Sequence, residues 1–404
     1  MPREMGTPRP VVTGMGAVTC LGLGVHALWN GLLEGRSGLH PVRGFASEFL
    51  RTPLCGEIEL SDSMRREAQA RECQDRLSFF LDLALEEALV AAKLDNSALA
   101  GKRSALVLGI SLGMSLVPAG LDVPFDARTS IDLDDDLTRV AARLRGRYPA
   151  FSEVIIVTTA CASGTHAIGM ALDLVAGGEF DIVVCGGADT IDRIKYLGHT
   201  ALSTLTPTSP TPFARDRDGT IFGEGAGILV VEPRQAARHA PLATLAGAGY
   251  STDIHHLTAP DPGGRGAIEA MRQALADADV GAQEIEHINL HGSGTSVNDE
   301  VESRAIAALF REAARDIACT TIKPAIGHTA GAAGALEAIA TVLSIADGVI
   351  PPVANVVAQD PELPIRLVCG APERRTVRNA LNNSFGFGGA NGVVLFQKPQ
   401  KTET

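Results

Sequence analysis

The chain has 404 residues, a formal charge of −12, and 45% apolar but only 4% aromatic residues. The acidic balance argues against a broad nucleic-acid surface but leaves room for a small basic patch that meets an acidic protein. A composition rich in small and aliphatic residues suits helices packed on buried parallel strands, an α/β class, and the length holds one large domain or two ordinary ones.

In chain order, "RPVVTGMGAVTCLG" predicts a buried strand running into a glycine turn. "DRLSFFLDLALEEALVAAKL" has helical spacing, "RSALVLGISLG" reads as a strand, "DLTRVAARLRGRY" as a helix, and "EVIIVTTA" as a strand ending at Cys161. "THAIGMALDLVAGG" is a helix, "FDIVVCGGAD" a strand, and "FGEGAGILVVEP" a strand closed by Pro233. A second series follows: helix in "GGRGAIEAMRQALADADV", strand into loop in "EIEHINLHGSGT", helix in "NDEVESRAIAALF", loop into helix in "KPAIGHTAGAAGALEAIATVLSIADG", and strand, glycine loop, strand in "RRTVRNALNNSFGFGGANGVVLFQKP". The two series match in order, which predicts a duplicated α/β unit, with halves 1–240 and 241–404. Asp132, Asp134, Asp135 and Asp136 in "SIDLDDDLTRV" read as a solvated helix start.

The cysteines, at 20, 55, 73, 161, 185, 319 and 369, are odd in number and contain no C-x-x-C pair. No disulfide framework or zinc cluster is expected, and a reducing cytoplasm is. The opening "MPREMGTPRPVVTGMG" has no signal-peptide h-region, and no apolar run is long and unbroken enough to span a bilayer.

Cys161 lies in "TTACASGTHAIGMAL", where a strand ends and a helix begins. A free cysteine is often a buried filler. At a helix N-terminus, however, the dipole and unpaired N–H groups favour a thiolate, and the small neighbours Ala162, Ser163 and Gly164 leave room for a substrate, as in a nucleophile elbow. His291 ("LHGSGT") and His328 ("AIGHTAGAAG") sit in small-residue loops just past predicted elements, where functional residues concentrate. The helix after His328 should keep that imidazole neutral, able to donate Nε2–H to an oxygen becoming negative. Lys323 and Glu337 flank His328 in sequence; they form either an ordinary surface salt bridge or, if buried, a pair that fixes His328. "NNSFGFGGANG" is either a plain hairpin turn or a glycine loop presenting an N–H, with Phe387 able to swing. A dinucleotide-binding reading of "GMGAVTCLG" lacks its third glycine and the later acidic residue.

"TTACASGTHAIG", "PFARDRDGTIFGEGAGILVVE", "TAPDPGGRG", "INLHGSGTSVNDEVE", "IKPAIGHTAGAAGALEAI" and "NNSFGFGGANG" occur in that order. Together they resemble the elongating β-ketoacyl-ACP synthases, the condensing enzymes of type II fatty-acid and polyketide synthesis. The resemblance covers nearly the whole chain. It implies a thiolase fold with two similar halves in a five-layer αβαβα arrangement, normally dimeric. It also implies Cys161 as acyl-accepting nucleophile, His291 and His328 as the active-site histidines, and Lys323 with Glu337 as their supporting pair. Phe387 would be the gate, its backbone N–H forming an oxyanion hole with that of Cys161. Ser293, Thr295, Phe385 and Gly388 would bind substrate, with Leu112 and Met114 flooring the acyl pocket. The substrates would ride on the phosphopantetheine of an acyl carrier protein, and no metal or redox cofactor would be needed.

Some positions depart from the family pattern. Ser293 replaces the usual Thr, Ala214 an Asp, and Leu205 an Arg that helps dock the carrier, so docking would fall to Arg65, Arg66, Lys195 or others, or the carrier would be an unusual one. The segment from Ser111 to Pro149 carries the acidic cluster where an apolar dimer helix is usual, which makes the acyl pocket or the partner atypical. The partner would be an identical chain or a related chain-length subunit. Competing expectations are a chain-length-factor-like helper, which usually lacks the active cysteine, and a decarboxylase or acyltransferase of the same fold. A thiolase is disfavoured because neither Cys319 nor Cys369 lies in a matching glycine motif.

Overall fold

The computed structural model describes residues 9–43, 50–73, 75–111, 137–191 and 193–400. Among them, the main sheet contains β1 (Pro10–Thr19), β2 (Ser104–Gly109), β3 (Glu153–Val157), β4 (Ile182–Asp189), β5 (Gly225–Pro233), β6 (Ala243–Thr252), β7 (His287–Asn289), β8 (Ala318–Thr320), β9 (Arg366–Leu367), β10 (Asn379–Phe385) and β11 (Ala390–Gln397). Their spatial order is β9-β8-β7-β10-β11-β6-β1-β5-β4-β2-β3.

That order contains the same pattern twice. β1 is antiparallel to β5 and β5 to β4, after which β2 and β3 add in parallel. β6 is antiparallel to β11 and β11 to β10, after which β7, β8 and β9 add in parallel. The two runs meet where Val11 and Val12 of β1 pair with Thr244 and Ala243 of β6.

The helices used below are α1 (Arg76–Ala91), α2 (Leu137–Arg147), α3 (Ser163–Ala176), α4 (Arg193–Ala201), α5 (Arg265–Ala278), α6 (Ser296–Phe310) and α7 (Ala333–Asp347). Glycine explains how the outer helices reach the sheet. A Cβ on Gly14 or Gly16 would come within 2.2 Å of Ala88 O or 2.0 Å of Ala84 O in α1, and a Cβ on Gly247 or Gly249 within 2.4 Å of Ala274 O or 2.0 Å of Ala270 O in α5. Alternate glycines on one face of each strand therefore let a helix backbone lie directly on it. β6 was not expected from the sequence, because the glycines of "ATLAGAGYST" resemble a loop; they are contact positions.

Helices α3 and α7 fill the centre. α3 touches β2 and β4 on one side and β6 and β11 on the other, while α7 bridges β5 and β10. This gives five alternating layers, with α1 and α5 outermost. Both central helices are buried along most of their length. The stretch Ala330–Asp347 is long and apolar enough to cross a membrane by length and composition, but 83% of it is buried inside the fold, so its hydropathy is that of a core helix.

α2, from the atypical segment, buries only Leu144 among its residues and is tied down by Arg143, 2.8 Å from the buried Asp82. Leu112, Met114 and the aspartates at 132–136 lie outside the described residues.

Candidate active site

The turn Ala160–Ala162 links β3 to α3 and carries Cys161. Ala160 has φ 50°, a left-handed conformation unusual for alanine. Ser163 braces it: its hydroxyl donates to Ala160 O at 2.6 Å and accepts the Thr159 N–H at 2.9 Å. The other half repeats the device, since Ala330 has φ 47° in the turn Ala330–Ala332 that opens α7. There, the position matching Cys161 is Gly331. Its N–H donates to Asp189 at 2.9 Å, and a Cβ would come within 2.5 Å of Ser111 N. The two elbows cross so closely that the sulfur from one half meets a histidine from the other.

That histidine is His328, whose Nε2 lies 3.0 Å from Cys161 Sγ. Its Nδ1 accepts the Ala330 N–H at 3.2 Å, so the neutral ring carries its proton on Nε2, facing the sulfur. His291, just past β7, stands 5.5 Å from His328, ring centre to ring centre. Its Nδ1 lies 3.5 Å from Lys323 Nζ. An ammonium only donates, so His291 also presents Nε2–H. Burial, then Lys323, holds both histidines well below the usual imidazole range. Both are therefore neutral donors at physiological pH, with burial rather than the helix dipole as the main cause.

Lys323 and Glu337 form an ion pair whose side chains are 3% and 1% exposed. Burial pushes the Glu337 carboxyl up and Lys323 pulls it down. Lys323 also donates to the His291 carbonyl. The pair thus lies against His291, not His328.

The sequence reading missed two buried carboxylates in "NDEVE". Glu302, 1% exposed, accepts the N–H groups of His291 and Gly292, each at 2.9 Å, and the Asn383 amide at 3.2 Å. Asp299 accepts the N–H of Gly294 at 3.2 Å and of Phe213 at 2.9 Å. Burial raises both, Glu302 to about 7 and Asp299 to about 6. Their spacing of three places both on one face of α6, aimed at the glycine loop before it.

Phe387 lies between β10 and β11, where Gly388 and Gly389 have φ 78° and 79°. Gly386 allows a close approach: a Cβ there would be 3.3 Å from Cys161 N. Burial pushes the Cys161 thiol up to about 11, against the opposing pull of Lys323 and of the nearby Phe387 backbone N–H. The resting sulfur is therefore a thiol, contrary to the expectation from its helix position.

A cleft of about 300 Å³ reaches Cys161; His291, His328, Phe385 and Phe387 are on its wall, with Ser293 and Thr295. The Ser293 and Thr295 hydroxyls are 3.0 Å apart. Gly388 is not on that wall: it is exposed, and its N–H donates to Leu257 O at 2.7 Å. One proposed docking position is also corrected: Lys195 is buried in an ion pair with Asp189, so it does not face a partner. Leu205, where the family pattern has an Arg, is buried beside Cys55, Tyr196 and Phe222. Arg66 is exposed and Arg65 half-buried. His40, Cys55 and Glu57 bring potential metal-ligand atoms within 4.8 Å of one another. Both His40 ring nitrogens, however, face backbone carbonyls, Pro41 O at 2.9 Å and Glu57 O at 3.0 Å, which leaves no ring lone pair directed at a cation.

Two family models match the chain: "Beta-ketoacyl synthase, N-terminal domain" over residues 9–237 and "Beta-ketoacyl synthase, C-terminal domain" over 242–357. It is 34% identical to 3-oxoacyl-[acyl-carrier-protein] synthase 2 of Synechocystis sp., over 97% of this chain and 98% of that one. It is 33% identical to Nodulation protein E of Rhizobium meliloti, over 96% and 99%. Among solved structures, the ishigamide ketosynthase/chain length factor superposes with a TM-score of 0.83 at 32% identity, over 97% of this chain and 100% of that one.

Proposed function

The chain belongs to the β-ketoacyl synthase family, with the thiolase fold, and on that footing we propose how its own residues carry out the family's decarboxylative condensation. The Cys161 sulfur attacks the thioester of an acyl group delivered by an acyl carrier protein. The N–H groups of Cys161 and Phe387 face the tetrahedral oxyanion, and each such donor is typically worth ~3–4 kcal/mol. The acyl group passes to sulfur, and the carrier thiol leaves with the thiol proton, a ping-pong half-reaction.

Malonyl carrier then enters. Its carboxylate leaves as CO2, and the negative charge develops on the thioester oxygen. His291 and His328, both neutral with Nε2–H turned inward, donate to that oxygen. Loss of CO2 generates the carbanion, so no strong base is required. The carbanion attacks the acyl carbonyl, and the Cys161 thiolate is expelled and takes up a proton. The product is a β-ketoacyl chain two carbons longer, still on its carrier. Lys323 and Glu302 fix the tautomer and the backbone of His291, while Ser293 and Thr295 hydrogen-bond the pantetheine arm.

The observation that carries this reading is the 3.0 Å approach of His328 Nε2, from one elbow, to the Cys161 sulfur on the other. We place the halves at 1–240 and 241–404, assign no metal or redox group, and locate the enzyme in the cytoplasm, in keeping with its free thiols. Its partner is an identical chain or a chain-length subunit, and its product serves fatty-acid or polyketide synthesis.

Intact-protein mass spectrometry tests the reading. Wild type and Cys161→Ala are incubated with acyl carriers of rising chain length, then with malonyl carrier. Acyl mass on the wild type alone, followed by β-ketoacyl product, is expected. Acylation without product would make it a transferase, and no acylation, alone or with candidate partners, would remove Cys161 as nucleophile.

A further inference from the structure

His199, at the end of α4, forms part of the cleft wall with Cys161 and Phe387. Its ring stacks on Phe387, with centroids 5.3 Å apart and planes 17° from parallel. Its other contact is edge-on to Phe222 at 4.5 Å and 73°, and Phe222 stacks in turn on His328 at 5.6 Å. One row of rings therefore joins the gate to a proposed catalytic histidine. The imidazole is also held from behind: the Thr204 hydroxyl donates to His199 O at 3.3 Å, so it accepts Nδ1–H at 2.8 Å. Burial, then Lys195, lowers the His199 pKa to about 4, which keeps the ring neutral and suited to stacking.

Phe387 sits on a loop whose following glycines, Gly388 and Gly389, both have positive φ. Backbone hydrogen bonds tie the loop on both sides of Phe387, Gly386 N–H to Ala390 O and Gly388 N–H to Leu257 O, each at 2.7 Å, but they hold the main chain and leave the orientation of the ring to its neighbours. Yet the Phe387 N–H must stay beside Cys161, turned to where the thioester oxygen becomes negative, to serve the oxyanion hole.

We propose that His199 is a positioning residue that latches Phe387: its stacked, Thr204-anchored ring holds the gate where the Phe387 N–H faces Cys161. This rests on the reading of Cys161 as the acyl acceptor. The latch acts on loading and on retention of the acyl group. An unlatched gate presents the oxyanion donor less often and admits water to the thioester.

The test is single-turnover acylation of Cys161 from an acyl carrier, followed by mass spectrometry, with the lifetime of the acyl-enzyme read in the same experiment. His199→Ala is expected to slow loading about three- to tenfold, the range an aromatic pair provides, and to shorten the acyl-enzyme lifetime. His199→Phe, which keeps a stacking ring, should recover most of both. A variant that only disturbed the fold would not shorten the lifetime of acyl already loaded. If His199→Ala does not fold, His199→Phe and Thr204→Val carry the test, with loading near wild type in the first and slower in the second. Wild-type loading and lifetime in His199→Ala, or losses in His199→Phe as large as in the alanine variant, overturn the latch. Failure of the wild type itself to load is the separate result that removes the nucleophile assignment.

Discussion

Glu302 holds His291 by its backbone: one carboxylate oxygen accepts the His291 N–H and the other the Gly292 N–H, both at 2.9 Å. Lys323 separately orients the His291 ring through Nδ1. Position and tautomer are thus set by different groups, and they can be perturbed independently. Glu302→Ala leaves two buried N–H groups and the Asn383 amide without their acceptor, which should cost about 2–4 kcal/mol of stability. Condensation should fall at least tenfold while Cys161 loading changes little, because loading uses the elbow and not the His291 loop. Urea unfolding and separate loading and condensation rates check this; an equal loss in both half-reactions would place Glu302 in the general scaffold.

The same carboxyl predicts a pH effect with a definite sign. Burial raises Glu302 from the ordinary 4.5 to about 7, so between those values the folded state binds more protons than the unfolded. The stability it contributes is complete below the unfolded value and is lost as pH rises through the folded one. His291 and His328, shifted below 6.5, act oppositely and favour the fold as pH rises toward that value. Wild type must therefore be compared with Glu302→Gln, which removes one titration only. The wild-type advantage in melting temperature should be greatest near pH 5 and shrink by pH 8. An advantage that grows with pH would mean that the hydrogen bonds to Glu302 outweigh its burial.

Lys323→Met tests the buried pair. It strands Glu337 in the core without its counter-charge, and breaking such a pair typically costs about 3–5 kcal/mol. It also removes the donor that pins the His291 tautomer. Adding Glu337→Gln should restore much of the stability but not the rate of CO2 release from malonyl carrier. That rate should stay down by roughly 10²-fold, as for loss of one oxyanion donor. Recovery of both together would show that Lys323 serves stability alone.

The residues we propose as reactive could be picked out because each sits at a break between an apolar run and small residues: Cys161 after "EVIIVTT", His291 after "EIEHINL". What supports them was not. Asp299 and Glu302 look like an exposed acidic helix start, yet they are 0% and 1% exposed; only their common face toward "HGSGT" marks them. His199 sits in the last turn of α4 and gives no local cue, since its stacking partner Phe387 is far away in sequence. Burial also reversed one electrostatic argument. The helix N-terminus favours a Cys161 thiolate, but desolvation of the sulfur is larger, and only tertiary structure reveals that. β6 was hidden by Gly247 and Gly249, which look like turn residues until a helix is seen resting on them.

The crossing of the two elbows makes the sharpest link between packing and chemistry. Gly334, in the first turn of α7, faces α3 so closely that a Cβ would come within 2.0 Å of Thr165 Oγ1 and 2.7 Å of Thr165 N. Thr165 cannot simply turn aside, because its hydroxyl is bonded to Ser384 Oγ at 2.7 Å in the core. Gly334→Ala must therefore push α7 away from α3. Overpacking of this kind typically costs about 1–3 kcal/mol. The shift acts directly on the gap between Cys161, on the turn that opens α3, and His328, whose Nδ1 is bonded to Ala330 N–H at the start of the turn that opens α7. A displacement near 1 Å can cost roughly 10²-fold in rate, so loading should fall further than the loss of stability alone would suggest. Removing the Thr165 hydroxyl relieves the closest contact but not the backbone one, so Gly334→Ala with Thr165→Ala should recover only part of the rate. Melting temperature and single-turnover acylation of the two variants decide it. A Gly334→Ala protein with wild-type melting and loading would show that the elbows need not cross this closely for the sulfur and the imidazole to meet.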